Sequence, residues 1–157
     1  MVQFSPLCSR IPDVKYTKDS RIRKAGEALS KAFLSVKFHA DARNRPLIEA
    51  ISQALQARGI ETICIARDLE QWGAVHFASG ELMQRTFERL RACDYLLVEI
   101  SEKGVGVGIE AGYAHALGKP VWVIAKTGAD IPETLRGIAA GVETYEDLEA
   151  LSGLVLG

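Results

Sequence analysis

Five short runs rich in Val, Ile and aromatic residues, each followed by text with helical spacing, constrain this chain more than any other feature. The runs are AFLSVKF (32–38), IETICIA (60–66), DYLLVEI (94–100), PVWVIA (120–125) and a weaker GVETY (141–145). Between them, RPLIEAISQALQARG places Leu47, Ile48, Ile51, Ala54 and Leu55 on one face and closes at Gly59. GELMQRTFERLRAC turns Leu82, Phe87 and Leu90 inward, GIEAGYAHALG is a short helix stopped by Gly118 and Pro120, and IPETLRGIA is another helix. The order reads βαβαβαβαβα. Strand text as continuously apolar as YLLV and VWVIA predicts a parallel sheet covered by helices on both faces. Right-handed crossovers then leave few topologies, and the expectation is one doubly wound α/β domain with strand order 2-1-3-4-5. The domain is placed at residues 31–157, preceded by an N-terminal arm, 1–30, with a helix around residues 20–30.

Composition narrows the partners. The 157 residues, 48% hydrophobic and 25% charged, suit one globular domain with a full core. A net charge of -1, from 19 basic and 20 acidic side chains, offers no electrostatic footprint for nucleic acid or an anionic membrane. The three cysteines, Cys8, Cys64 and Cys93, lack CxxC spacing, so neither a disulfide framework nor a metal site is expected, and a cytoplasmic location fits best. No apolar run has the length of a membrane span. A small molecule is the expected partner.

In an open parallel sheet, ligands collect outside the carboxyl ends of the strands. After the first strand come His39 and Asp41. After the second comes a long segment, RDLEQWGAVHFASG, expected to form a lid or side wall. After the third comes SEKGVGVGIE, with Gly104, Gly106 and Gly108 at alternate positions ahead of Glu110. This stretch matches neither a Walker loop nor a dinucleotide fingerprint, and no cofactor is expected. It reads as a glycine loop of accessible amides with Glu110 in the first turn of the following helix, which predicts an anionic carboxylate. A carboxylate aimed at a bound molecule acts as a nucleophile or stabilises a developing cation, as in cleavage of glycosidic bonds. The alternative is a glutamate that only stabilises its helix.

The stretch CDYLLVEISEKGVGVGIEAGYAHALGKPVWVIA resembles the nucleoside 2-deoxyribosyltransferase family, including its nucleotide N-hydrolase relatives. The shared pattern is an Ala-Asp-like entrance (here Cys93-Asp94) before an apolar strand, then Gly-x-Gly-x-Glu-x-Gly-x-Ala, then Gly-Lys-Pro. The resemblance extends more weakly from about Lys31 to Leu151. It implies that Glu110 attacks the anomeric carbon of the sugar while a proton donor assists the leaving base, and that the protein is a homodimer or larger. Three positions depart from the family. Phe33 stands where a tyrosine hydroxyl meets the nucleophile, Thr86 where an aspartate serves proton transfer, and Gly104 where a serine binds phosphate in the hydrolases. Lys37 and loop amides remain as phosphate partners, and Asp41 as a partner for sugar hydroxyls. Asp94 is expected to be structural. His76 and Glu81 are the candidate substitute proton donors, Trp72 and Phe77 the candidate stacking surfaces, and His115 is expected to face elsewhere. The implied function is N-glycosidic cleavage or deoxyribosyl transfer on a nucleoside or nucleotide. A lapsed nucleotide-binding or sensing protein, or an N-ribosyl hydrolase acting on a compound such as NAD, are the alternatives.

Overall fold

The structure, a computed structural model, describes residues 30–154. The expected arm and its helix lie outside the described residues, apart from Ser30, which opens the first strand. The elements are β1 (Ser30–Val36), α1 (Arg45–Gln56), β2 (Ile60–Ile63), α2 (Ile65–Asp68), α3 (Ser79–Arg91), β3 (Tyr95–Glu99), α4 (Val105–Ala116), β4 (Val121–Lys126), α5 (Glu133–Ile138) and β5 (Gly141–Tyr145), with single 3-10 turns at Gln71–Gly73 and Ala150–Gly153. All strand pairs are parallel and the sheet order is β2-β1-β3-β4-β5, as the alternation predicts.

The two faces of the sheet divide the core by the two-residue period of a strand. Phe33, Leu96, Val98, Val121 and Val123 face one way, against Leu90 of α3, Val107, Ala111 and Ala114 of α4, and Leu135 of α5. Ala32, Leu34, Leu97, Ile124 and Tyr145 face the other way, against Ile48, Ile51 and Leu55 of α1 and Leu151 of the last turn. Both faces are therefore covered. Helix α1 begins with a proline in its first turn, where a missing N–H leaves no hydrogen bond unmade, and Gly59 (φ 73°) takes the chain into β2.

Three elements differ from the sequence expectation. β1 ends at Val36, so Phe38 is not a strand residue and is 47% exposed. β2 ends at Ile63, and the text CIA turns into α2 instead of continuing the strand. The Cys64 N–H donates to the Asp68 carboxylate at 2.9 Å, and the Arg67 guanidinium donates to the Thr62 carbonyl at 2.6 Å and to Ser52 Oγ at 2.7 Å. β2 is an edge strand, so no second neighbour competes with these local bonds. The expected final helix is only a 3-10 turn.

Gly141 illustrates how closely the last strands approach. It pairs with Trp122, and a Cβ at this position would lie 2.1 Å from Trp122 Cζ3. Gly141→Ala is expected to destabilise the fold by roughly 1–3 kcal/mol through overpacking against the indole. The check is a lowered urea midpoint with an unchanged slope; an unaltered midpoint would contradict the packing described.

Candidate active site

The strand order reverses between β1 and β3, and a cavity of about 310 Å³ lies beside the carboxyl end of β1. Its walls come from β1 and the two residues after it, from the segment Cys64–Ala66, from α3, and from the start of α4. Glu110 lines it. So do Phe33, Lys37, Thr86, Gly104 and Gly106 among the residues the sequence singled out, whereas Asp41 and Gly108 do not.

The glycine segment is not a loop. Gly104 is the N-cap of α4, and Gly106 and Gly108 lie inside the helix. Glu110 consequently sits in the second turn, past the free amides of the helix start, and draws nothing from them. Its side chain is packed at the cavity wall, where its one described hydrogen bond is donated by Ser35 Oγ of β1. Burial disfavours the charged form and pushes the carboxyl up to about 7, with the Ser35 bond opposing the rise. The expected permanently ionised carboxylate is thus corrected to one that titrates near neutrality. The physical cause is position: a helix that starts at Val105 and not at Gly108, about one turn earlier, moves the group from a polar terminus to a desolvated wall.

Ser35 was not singled out in the sequence, although the signal was present. It lies two residues after Phe33 and so on the same face of β1. Phe33 itself is fully buried in the α4-side core, and a hydroxyl reaches Glu110 one step further along the strand. Thr86 is 2% exposed, and its Oγ1 donates to the Leu82 carbonyl at 2.8 Å, a backbone bond within α3. Gly104 would tolerate a Cβ at ordinary contact distance from Lys37, and a Cβ at Gly106 would meet no atom within 4 Å.

At the mouth, Lys37 Nζ, His39 Nε2 and Arg43 Nη2 all approach one oxygen of Glu102, at 3.2, 3.2 and 3.4 Å. The Lys37 hydrogen bond holds the exposed Glu102 carboxyl below its ordinary value. Asp41 is exposed and accepts the Arg43 N–H at 3.2 Å in the turn before α1. Asp94 accepts the Lys31 N–H at 2.8 Å, tying the start of β3 to β1.

The remaining candidates lie outside the cavity lining. Glu81 is exposed and pairs with Arg85 along α3 at 2.8 Å. His76 is exposed. Trp72 packs on the α1-side core under the Arg45 guanidinium, 4.9 Å from its ring centroid, and Phe77 lies under Arg85 at the same separation. A residue that sequence reasoning passed over, Glu70, does line the cavity. Among the described residues no group of three His, Cys, Asp or Glu side chains is placed to hold a metal ion, and no helix is long and apolar enough to cross a membrane.

The sequence profile described as nucleoside 2-deoxyribosyltransferase matches residues 34–149, most of the chain and every residue lining the cavity except Phe33. The chain belongs to the nucleoside 2-deoxyribosyltransferase family. Solved structures carry the same fold. A 2-deoxyribosyltransferase from the psychrotolerant bacterium Bacillus psychrosaccharolyticus superposes with a TM-score of 0.62 at 21% identity, covering 80% of this chain and 93% of that one. A conserved protein from Enterococcus faecalis V583 gives 0.63 at 16% identity over 80% and 99%. A CMP N-glycosidase from Clostridium botulinum gives 0.59 at 16% over 79% and 96%. At such identities the likeness concerns the fold. No curated protein sequence matches the chain.

The position of Glu110 has a consequence for stability. Its carboxyl is raised from the ordinary 4.5 to about 7 in the folded chain, so the folded state favours the protonated form. That preference is in full effect below about pH 4.5 and is lost as pH rises through about 7. Glu110→Gln, which resembles the protonated acid, is expected to raise the Tm by a few degrees at about pH 8 and to leave it nearly unchanged at about pH 4. Equal Tm values for parent and variant at both pH values would show that Glu110 is not desolvated.

Proposed function

We propose that the cavity is the site of N-glycosidic bond cleavage in a nucleoside or nucleotide, with Glu110 as the nucleophile. The observation that carries this reading is the Ser35–Glu110 hydrogen bond inside a cavity at the strand ends of a family fold. One Glu110 oxygen attacks the anomeric carbon, the carbon–nitrogen bond breaks, and its electron pair leaves with the base. The glycosyl ester left on Glu110 is then opened by water or by a second base. Ser35 holds the carboxylate in line and stabilises its charge. Because the carboxyl titrates near 7, the ionised fraction and the rate rise as pH passes through that value. Lys37, with His39 and Arg43 beside it, supplies positive charge at the mouth for a phosphate on the sugar, in exchange with Glu102.

The lapsed reading rests on one observation, the Thr86 hydroxyl engaged with a backbone carbonyl where the family resemblance places an acid. Glu110→Ala separates the two. The full chain is incubated with deoxynucleosides, their monophosphates and NAD, and free base is followed by chromatography, with ligand binding read from the melting point. The expected outcome is base release by the parent and at least a 10³-fold loss in Glu110→Ala with binding retained. Binding without any release by the parent would favour the lapsed protein, and release that persists in Glu110→Ala would remove the assigned nucleophile.

The homo-oligomer expected from the family resemblance is proposed here as a dimer across the outer face of α4. Ile109 is 44% exposed there, Val105 at the cavity rim is 83% exposed, and a Cβ at Gly108 or Gly112 would meet no described atom within 4 Å. Each interior glycine costs a helix roughly 1 kcal/mol relative to alanine, so nothing inside one described chain requires them. Light scattering at micromolar concentration is expected to give a dimer mass or larger; a monomer mass would reject this.

A further inference from the structure

We propose that Glu70 is the proton donor to the leaving base, the role that Thr86 cannot fill. This rests on the nucleophile reading above. A base leaving as an anion is a poor leaving group, and a threonine hydroxyl is no acid near neutral pH. The Thr86 hydroxyl is also directed to the Leu82 carbonyl. The ionisable residues lining the cavity are Lys37, Cys64, Glu70 and Glu110. Glu70 is therefore the second carboxyl of the cavity among the described residues, contributed by the wall that follows β2.

The chain around Glu70 is built to hold it there. Its N–H donates to the Ile65 carbonyl at 3.0 Å, and its own carbonyl accepts from Gly73 N–H at 2.9 Å and Val75 N–H at 3.0 Å. The next two residues, Gln71 (φ 47°) and Trp72 (φ 59°), are both left-handed without being glycine. Consecutive residues of this kind are uncommon and persist where their surroundings over-determine them. Trp72 is pinned to the α1-side core, so the strained turn sends Trp72 one way and leaves Glu70 on the cavity. Glu70 is half-buried, and the described charge that bears on its carboxyl is that of His76.

Burial raises the Glu70 carboxyl above its ordinary value, with His76 opposing. The charged and titratable groups facing the cavity with it are Glu110 on α4, Lys37 after β1 and Cys64 after β2, while α3 contributes only Leu82, Met83 and Thr86.

The step balances as follows. The Glu110 carboxylate forms its bond to the anomeric carbon as the carbon–nitrogen bond breaks, and the Glu70 carboxyl gives its proton to the departing nitrogen. The products are a glycosyl ester, a neutral base and the Glu70 carboxylate. In the second half, Glu70 takes the proton of the attacking water or incoming base N–H, and the ester bond to Glu110 breaks. Both carboxyls return to their starting states, the division of labour that two carboxyls perform in retaining glycosidases.

The test uses the full chain, with Glu70→Gln, Glu70→Asp and Glu110→Ala, each first checked for a folded melting transition. Two substrates are compared: the deoxynucleoside or monophosphate that the parent cleaves, and a nitrophenyl deoxyriboside, whose leaving group departs without a proton. Glu70→Gln is expected to lose about 10²–10⁴-fold on the natural substrate and little on the nitrophenyl one, and to lose the high-pH limb of the rate profile. Glu70→Asp should recover part of the natural activity. Equal losses on both substrates, or no loss on either, would overturn the role of Glu70 while leaving Glu110 in place. Full activity of Glu110→Ala on both substrates, or no release by the parent from either, would instead overturn the nucleophile and the proton donor together.

Discussion

The pairing of β1 with β3 is the constraint on which the rest of the structure depends. The register runs from Ala32 opposite Tyr95 to Val36 opposite Glu99, in the centre of a sheet buried on both faces. Because side chains alternate, this register sends Leu34 to the α1 side and Phe33 and Ser35 to the α4 side. A slip of one residue would put Leu34 against Glu110 and Ser35 among the aliphatic residues of α1. Core packing therefore fixes the chemistry of the cavity. The same pair is the point at which the strand order reverses, so the segments after the two strands diverge and leave space between them.

Two glutamates show how differently this sheet treats a carboxyl. Glu99, at the end of β3, is 3% exposed on the α1 side. It accepts from the Tyr145 hydroxyl at 2.9 Å, the Ser101 N–H at 3.1 Å and the Ser101 hydroxyl, and Ser101 in turn accepts the Lys126 N–H at 2.8 Å. A carboxyl so fully satisfied ties three strand ends together. Glu110, with one hydroxyl donor and a cavity beside it, is held in place but left under-satisfied. Its raised pKa follows from that deficit. A carboxylate short of donors gains more from an approaching electrophile than one already solvated by the protein, and in the proposed reaction this would tie its cost in stability to its use.

Helix α4 combines the two demands. Its inner residues Val107, Ala111 and Ala114 are buried in the core, which anchors Glu110 on a rigid element and not on a loop. Its glycines then have a different meaning from the one their spacing suggests. Gly106 keeps a side chain out of the cavity, whereas Gly108 and Gly112 leave the outer surface flat. At the mouth, Lys37, His39 and Arg43 share the single carboxylate of Glu102.

The amino-acid sequence by itself determined the class of fold, the parallel order of the strands and the helix faces that cover them. Those depend on apolar periodicity and on chain punctuation at Gly59, Gly118 and Pro120, which are local properties of the text. It also singled out Glu110 as a candidate, through a motif spaced along one segment, and the structure places that residue on the cavity. Only the tertiary structure decided what surrounds that residue. The alternate glycines read equally well as a loop or as a helix start, and the choice was made by burying Val107 and Ala111 against the sheet. The text CIA read as strand, and became helix because Asp68 and Arg67 supply bonds that an edge strand lacks. Ser35 and Glu70 come from segments 75 and 40 residues before Glu110. No local pattern links them to it, because their place on one cavity is a product of strand register and of a strained turn, and both are settled only when the whole core packs.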